Sequence, residues 1–142
     1  MKYFDWEIYR QLQSKSIDIL MDAEEKWDER NKLYKACLEE IKEQDKELYK
    51  LGVTSFHDLA VTEISYDNGE IKFVLLCKGN ETEIICINNI IKFNILKHKS
   101  NLIENFIGNW LVHEIIYNNN NDIMINILLD NGIEINIQFK KL

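Results

Sequence analysis

The chain has 142 residues, of which 46% are hydrophobic and 29% charged, and its net charge is −7. This length and apolar content suit one domain with its own core and argue against intrinsic disorder. Phosphate contacts need a basic surface, so the negative charge disfavours nucleic-acid and anionic-membrane partners and fits a basic protein better, although acidity also serves solubility alone.

The cysteines and the first residues indicate a reduced compartment. Cys37, Cys77 and Cys86 are odd in number and lack C-x-x-C spacing, and Asp5 and Glu7 stand where a signal peptide would carry its apolar run. No apolar stretch approaches the roughly 20 residues that span a bilayer. We therefore expect a cytoplasmic protein.

A short amphipathic helix is predicted at the start of the chain. Its apolar residues Phe4, Ile8 and Leu12 fall four apart. Asp5 and Glu7 stand in its first turn, where the helix dipole favours anions.

One long amphipathic helix is predicted from Ala23 to Leu51. Apolar side chains recur there every seven residues, at Trp27, Tyr34, Ile41 and Leu48. Upstream, Ile17, Leu20 and Met21 continue the apolar stripe of the first helix towards this longer one. Gly52 supplies a left-handed residue that ends the long helix. The stripe is expected to pack on the protein's own sheet rather than in a coiled coil.

Beyond Gly52 the hydrophobic period changes to two, and the turn sequence Asp-Asn-Gly occurs twice, starting at Asp67 and Asp130. Asn-Gly tolerates the two positive φ angles of a two-residue type I′ hairpin. Such a turn pairs Tyr66 with Ile71, Ile64 with Phe73 and Thr62 with Leu75 in the first hairpin. In the second it pairs Leu128 with Ile135, Asn126 with Ile137 and Met124 with Phe139.

Further strands are predicted near Glu83 to Ile87, Ile90 to Leu96 and Trp110 to Tyr117, with turns at Asn88-Asn89 and Asn118 to Asn121. The strand from Asp122 to Leu129 is apolar on both faces and should be central, whereas the last strand should lie nearer an edge. The predicted fold class is α+β in a single domain, residues 1–142. A helical part (1–52) that includes one long amphipathic helix packs on a six- or seven-stranded, mainly antiparallel sheet (53–142).

Acidic and aromatic residues of the helical part form one candidate site for a partner. Tyr and Trp dominate binding hot spots, and carboxylates speed association with a basic protein. The candidate residues are Trp6, Asp22, Glu24, Glu25, Trp27, Asp28 and Glu29. Exposed together, they would form a docking face; otherwise the aromatic residues belong to the core.

Two pairs of a histidine and an acid form an alternative site, His57-Asp58 and His113-Glu114. Such pairs suit acid–base catalysis or ligand binding. Neighbours in extended backbone point to opposite sides, however, so a structural turn for the first pair and a core histidine in the second are the simpler explanations. No zinc-knuckle spacing and no phosphate-binding or hydrolase motif occurs. We therefore predict no metal, no cofactor and no enzymatic activity.

Short motifs resemble a family of small, uncharacterised proteins from low-GC Gram-positive bacteria. They are Met1 to Phe4, Phe56 to Asp58, and Gly108, Trp110, Leu111, Glu114 and Ile115. The resemblance implies a helical N-terminal portion, an antiparallel sheet and a bacterial source, but no reaction. The outline of a small acidic α+β protein without catalytic residues also looks like the immunity proteins that neutralise bacterial toxins.

Three functional hypotheses follow from the sequence. The first is a non-enzymatic binding protein, most concretely an immunity protein that masks a basic toxin domain. The second is a small-ligand protein or hydrolase-like enzyme that uses the two histidine–acid pairs. The third is a homo-oligomeric structural module, suggested by the long helical stripe.

Overall fold

A computed structural model describes residues 1–98, 107–118 and 121–141. Over these residues the chain forms three α-helices, a 3-10 turn at Lys78–Asn80 and seven strands. The helices are α1 (Trp6–Gln11), α2 (Ile17–Gln44) and α3 (Lys46–Val53); the strands are β1 (Ala60–Asp67), β2 (Glu70–Leu76), β3 (Thr82–Ile87), β4 (Ile90–Lys97), β5 (Trp110–Tyr117), β6 (Asp122–Leu129) and β7 (Ile133–Lys140). The predicted α+β class is confirmed, and no helix within these ranges is long and apolar enough to cross a bilayer.

The chain divides into two compact units, Met1–Thr54 and Ser55–Leu142, called here the helical unit and the β unit. Their boundary lies two residues beyond the predicted change from helical to strand periodicity at Gly52. That all 142 residues form a single domain stays a prediction.

The predicted long helix is in fact two helices, because the chain breaks at Asp45. This buried residue has extended backbone angles (φ −154°, ψ 98°), and its carboxylate accepts hydrogen bonds from the amides of Glu47 and Leu48, each at 3.1 Å. An aspartate in this position caps a new helix instead of continuing the old one. Gly52 therefore lies inside α3, and its predicted role as a left-handed cap is wrong.

The core of the helical unit follows the predicted stripe from Trp27 onward. Its buried side chains are Phe4, Ala23, Tyr34, Leu38, Ile41 and Leu48. The Phe4 ring packs against Trp27 and Tyr34, with centroids 5.1 and 5.5 Å apart. Ile17 and Met21 do not join this core, since they are 70% and 63% exposed. At roughly 100° per residue they lie well away from the side of α2 that carries Tyr34.

The strands form two antiparallel sheets, of order β1-β2-β3 and β4-β7-β6-β5. The first hairpin is confirmed, with Tyr66 opposite Ile71 and Ile64 opposite Phe73. Asn68 and Gly69 take φ values of 48° and 77°, as a two-residue type I′ turn requires. A bulge at the far end places Val61, rather than Thr62, opposite Leu75.

The register of the second hairpin was predicted wrongly by one residue. The observed pairs are Leu128 with Glu134, Asn126 with Asn136 and Met124 with Gln138. The loop has three residues, Asp130 to Gly132, and within it only Gly132 has a positive φ, at 86°. The Gly132 amide donates to the carbonyl of Leu129 at 3.1 Å, which fits a type I turn followed by a left-handed glycine.

This shift of one residue decides which side chains share a face of the sheet. On one face the isoleucines of β6 meet apolar residues of β7: Ile123 with Phe139, Ile125 with Ile137, and Ile127 with Ile135. The other face collects the polar residues of both strands. The central position of β6 is confirmed. The prediction that β7 lies nearer an edge than β6 is wrong, because β7 lies between β4 and β6 and both strands are interior.

The two sheets of the β unit are joined at one edge and through their apolar faces. Ala60 and Asn109 form an isolated antiparallel bridge, and the Trp110 amide donates to the carbonyl of Leu59 at 2.8 Å. The ring of Trp110 contacts Phe73 of the other sheet at a centroid distance of 5.6 Å. The apolar residues of both sheets therefore share one core. Of the predicted turn from 118 to 121, residues 119–120 lie outside the described ranges.

Candidate functional site

The acidic α2 face lies on the solvent side of the helical unit. It comprises Ile17, Met21, Asp22, Glu24, Glu25, Asp28 and Glu29, all of them exposed. At 3.6 residues per turn, these side chains fall within an arc of about 160°, away from the buried side of α2. The first half of α2 thus presents carboxylates together with two large apolar side chains.

The charge of this half of α2 is one-sided. From Asp18 to Glu29 the sequence has six acids and a single base, Lys26. The Lys26 ammonium lies 2.7 Å from the Asp22 carboxylate, and this hydrogen bond and charge raise the pKa of Lys26. Asp22 therefore adds less to the negative potential than Glu24, Glu25, Asp28 and Glu29.

Two tryptophans lie half-buried in the helical unit. Trp27 follows Glu24 by one helical turn, and its ring packs on Phe4 at 5.1 Å and Tyr9 at 6.5 Å. Trp6 of α1 packs on the same Tyr9 at 5.4 Å. Trp27 thus holds α1 against α2, whereas the contact of Trp6 with Tyr9 lies within α1. Both tryptophans keep part of their surface in solvent, so each packs in the helical unit and still offers surface to a partner.

Sequence reasoning placed Ile17 and Met21 on an apolar helical stripe and not among the candidate partner-binding residues, and so missed the apolar part of the acidic α2 face. The available signal was the phase of the helix. Residues 17 and 21 share a side with Glu24 and Asp28, at spacings of three and four, and not with Tyr34.

His57 and Asp58 form an exposed turn at the start of the β unit. The His57 Nδ1–H donates to the carbonyl of Leu111 at 3.0 Å, and its Nε2 lies 3.4 Å from the Asp58 carboxylate. Asp58 has a positive φ of 66°, and its amide donates to the carbonyl of Trp110 at 2.9 Å. These bonds tie the turn to β5, which favours the structural explanation of the pair.

His113 and Glu114 lie on opposite faces of the second sheet. His113 is buried in the core of the β unit, where its Nδ1 accepts a hydrogen bond from the Trp110 indole at 3.1 Å and its ring contacts Phe56 at 5.6 Å. Glu114 is fully buried on the other face and accepts from the Asn126 amide at 2.9 Å. His57 and Asp58 thus lie in an exposed turn, His113 in the core, and Glu114 on the opposite face of the sheet. The structure does not bring these four residues together in one site.

A chain of polar side chains, called here the polar row, crosses the second sheet. Its members are Glu114 of β5, Asn126 of β6, Asn136 and Glu134 of β7, and His98 beyond β4. Asn126 donates to Glu114, and Asn136 donates to both Asn126 (2.8 Å) and Glu134 (3.0 Å). The row ends where the His98 Nε2–H donates to Glu134 at 2.8 Å. Sequence reasoning missed it because the wrong hairpin register placed Asn126 opposite Ile137.

Comparison with known protein families, curated proteins and solved structures finds no match. Function is therefore inferred from the chemistry of the surfaces. Within residues 1–98, 107–118 and 121–141, no group of three His, Cys, Asp or Glu side chains is arranged to hold a metal ion. The features from which a function can be inferred are therefore the charge and exposure of surface residues and the buried polar contacts.

The Glu134 carboxyl titrates unusually. Burial raises its pKa, but hydrogen bonds to the carboxylate, including those from Asn136 and His98, lower the pKa from 4.5 to about 2. A folded-state pKa below the ordinary value means that the charged form stabilises the fold. This contribution is complete above the ordinary pKa and is lost as the pH falls from about 5 towards 2.

We expect Glu134→Gln to flatten the acid side of the stability profile. Urea unfolding between pH 2.5 and 6 should show a smaller loss of stability in this variant than in the unmodified chain. Glu83→Gln, at an exposed position of β3, is the control and should keep the original slope. Equal slopes for all three proteins would show that Glu134 is not the titrating group.

Proposed function

We propose that the chain is a non-enzymatic binding protein that docks on a basic protein through the acidic α2 face. The observation that carries the proposal is the composition of this face, on which five exposed carboxylates share one side of α2 with the exposed Ile17 and Met21. Half-buried Trp27 stands one turn from Glu24 and offers an aromatic contact at its border. Carboxylates alone would serve solubility, whereas exposed large apolar side chains among them favour a partner.

The two kinds of residue would act at different stages of binding. The carboxylates attract a basic partner over a distance and raise the association rate at low ionic strength. Ile17, Met21 and Trp27 would then lose water at the centre of the interface, where most binding energy is concentrated. Trp27 is already held by Phe4 and Tyr9, so little freedom is lost when a partner covers it.

The most concrete form of this proposal is an immunity protein for a toxin domain that acts on a polyanion. The active surface of such a toxin is basic, because it must contact phosphates. An acidic face could cover that surface and exclude the substrate without any catalytic residue. The net charge of −7 and the composition of the acidic α2 face support this form.

Co-expression with the product of the adjacent upstream gene tests the proposal. The neighbour should be toxic alone, harmless together with this chain, and recovered with it as a stable complex. A harmless neighbour that does not co-purify would contradict the immunity form. A toxic neighbour that this chain neither binds nor neutralises would contradict it equally.

We expect neutralisation of four acids to weaken the complex strongly. The variant E24Q/E25Q/D28N/E29Q should lose about 10- to 100-fold in affinity at low salt, chiefly through slower association. The control E40Q/E43Q/E81Q/E83Q removes the same charge from exposed positions outside the acidic α2 face and should lose little. Surface plasmon resonance at two salt concentrations measures both. Equal losses in the two variants would show that net charge, not this face, governs binding.

A further inference from the structure

Among the described residues, strand β4 is an edge of the second sheet and has β7 as its one strand neighbour. At the start of β4 the Ile90 amide donates to the carbonyl of Gly69 in the first hairpin at 3.0 Å, so the open part of the edge begins beyond Ile90. The large apolar side chains of β4 keep much of their surface in solvent: Ile91 is 49%, Phe93 40%, Ile95 52% and Leu96 47% exposed. The Phe93 ring also contacts Tyr66 of β1, at a centroid distance of 5.1 Å. Natural edge strands are usually protected by charges, by proline or by covering elements. The centre of β4, from Phe93 to Leu96, carries no charge and no proline.

The direction of the free hydrogen-bonding groups follows from the contacts with β7. The His98 amide donates to the carbonyl of Gly132 at 2.8 Å, so the backbone of residue 98 points towards β7. Backbone direction alternates along a strand. Asn94 and Leu96 therefore point their backbone groups to β7, and Phe93 and Ile95 point theirs away from the sheet.

We propose that β4 pairs antiparallel with β4 of a second copy of this chain, with Asn94 on the two-fold axis. In this register Phe93 faces Ile95 of the second copy, and Ile95 faces its Phe93. Both residues carry outward backbone groups, so each pair exchanges two hydrogen bonds. The two four-stranded sheets become one continuous eight-stranded sheet. This surface is distinct from the acidic α2 face.

The sequence of β4 favours a second copy over an unrelated strand. A two-fold pairing uses the same patch twice, so the patch must complement itself. With Asn94 on the two-fold axis, β4 complements itself, because Lys92 faces Leu96 of the second copy and Phe93 faces its Ile95. Aromatic and β-branched residues pair well across strands, and like charges are not opposed. An unrelated strand would have to supply this match independently.

Cysteine cross-linking tests the pairing and its register together. Asn94 would meet Asn94 of the second copy as a pair without mutual backbone hydrogen bonds, with Cα atoms about 4.5 Å apart. That distance suits a disulfide. The Cα atoms of the two Lys92 residues would lie about 13 Å apart, because they are offset by four residues along the paired strands. The same offset separates the two Leu96 residues. Cys86 is exposed and is replaced by serine in every variant.

We expect Asn94→Cys to form a disulfide-linked dimer under mild oxidation, whereas Lys92→Cys and Leu96→Cys each stay mostly unlinked. An equimolar mixture of the Lys92→Cys and Leu96→Cys proteins should cross-link again. Sedimentation of the unmodified chain should show a dimer, and Ile95→Lys should weaken it by about tenfold or more. A monomer at all concentrations would overturn the proposal, as would Asn94→Cys linking no faster than the two controls. Circular dichroism confirms that each variant is folded.

Discussion

Replacing Trp110 with alanine should lower the free energy of unfolding by about 3–5 kcal/mol. Trp110 is 1% exposed and lies where the two sheets of the β unit meet. Its ring contacts Phe56 at 5.2 Å, Phe73 at 5.6 Å and His113 at 5.5 Å. Alanine would leave a large cavity, and it would also remove the indole N–H that donates to His113.

Urea denaturation followed by circular dichroism measures this loss. Trp27→Ala is the control, because it removes the same atoms from a half-buried site and should cost clearly less. Trp110→Phe keeps much of the packing and removes the N–H donor with a smaller part of the ring, so its loss should be smaller than that of Trp110→Ala. A loss for Trp110→Ala no greater than that for Trp27→Ala would contradict the position of Trp110 in the core.

Asn126→Ala should lower the free energy of unfolding by about 2–4 kcal/mol, because its two neighbours in the polar row lose a buried partner. Asn126 is 3% exposed and donates to Glu114 while accepting from Asn136. Without the Asn126 side chain, a carboxyl oxygen of Glu114 and an amide N–H of Asn136 would face an empty space inside the protein. Buried polar groups left in this state cost more than a hydrogen bond contributes when it is made.

Two further substitutions test whether the loss of stability in Asn126→Ala comes from the hydrogen bonds of the polar row. Asn88→Ala changes an exposed asparagine in the turn between β3 and β4 and should cost little. Asn126→Asp would place a second carboxylate beside Glu114, so its loss of stability should be larger at pH 7 than at pH 4. A small effect of Asn126→Ala, or no pH dependence in Asn126→Asp, would contradict the hydrogen bonds of the polar row.

The first hairpin could be predicted because its turn depends on local chemistry alone. Asn68 is exposed, and both turn residues adopt the left-handed angles that Asn-Gly favours. Alternation of apolar residues then fixed the pairing as far as Ile64. The bulge beyond it was not visible, since one extra residue hardly changes a pattern of period two.

The second hairpin could not be predicted, because distant contacts determine its turn. The Asn131 side chain donates to the carbonyl of Ile107 at 2.7 Å and accepts from the Ile133 amide. Gly108 packs so closely that an added Cβ would lie 2.8 Å from the Asn131 side chain. These contacts with residues more than twenty positions away favour a three-residue loop over the two-residue turn that Asn-Gly suggests.

The candidate sites, like the hairpins, could be predicted only where local chemistry determines them. Exposure of the acids on α2 followed from their charge. Exposure of Ile17 and Met21 depends on which side of a 28-residue helix packs, and Tyr34 and Ile41 decide that from far along the chain. The polar row depends on the register of β6 and β7, so an error of one residue in the turn concealed it completely.

Hydrogen exchange of the chain, alone and with the co-purified partner, tests the proposed docking face most directly. We predict slower exchange on binding in residues 17–29 of α2, and little change in the two sheets of the β unit. Slower exchange confined to the strands of the β unit, with residues 17–29 unchanged, would contradict the acidic α2 face as the docking surface.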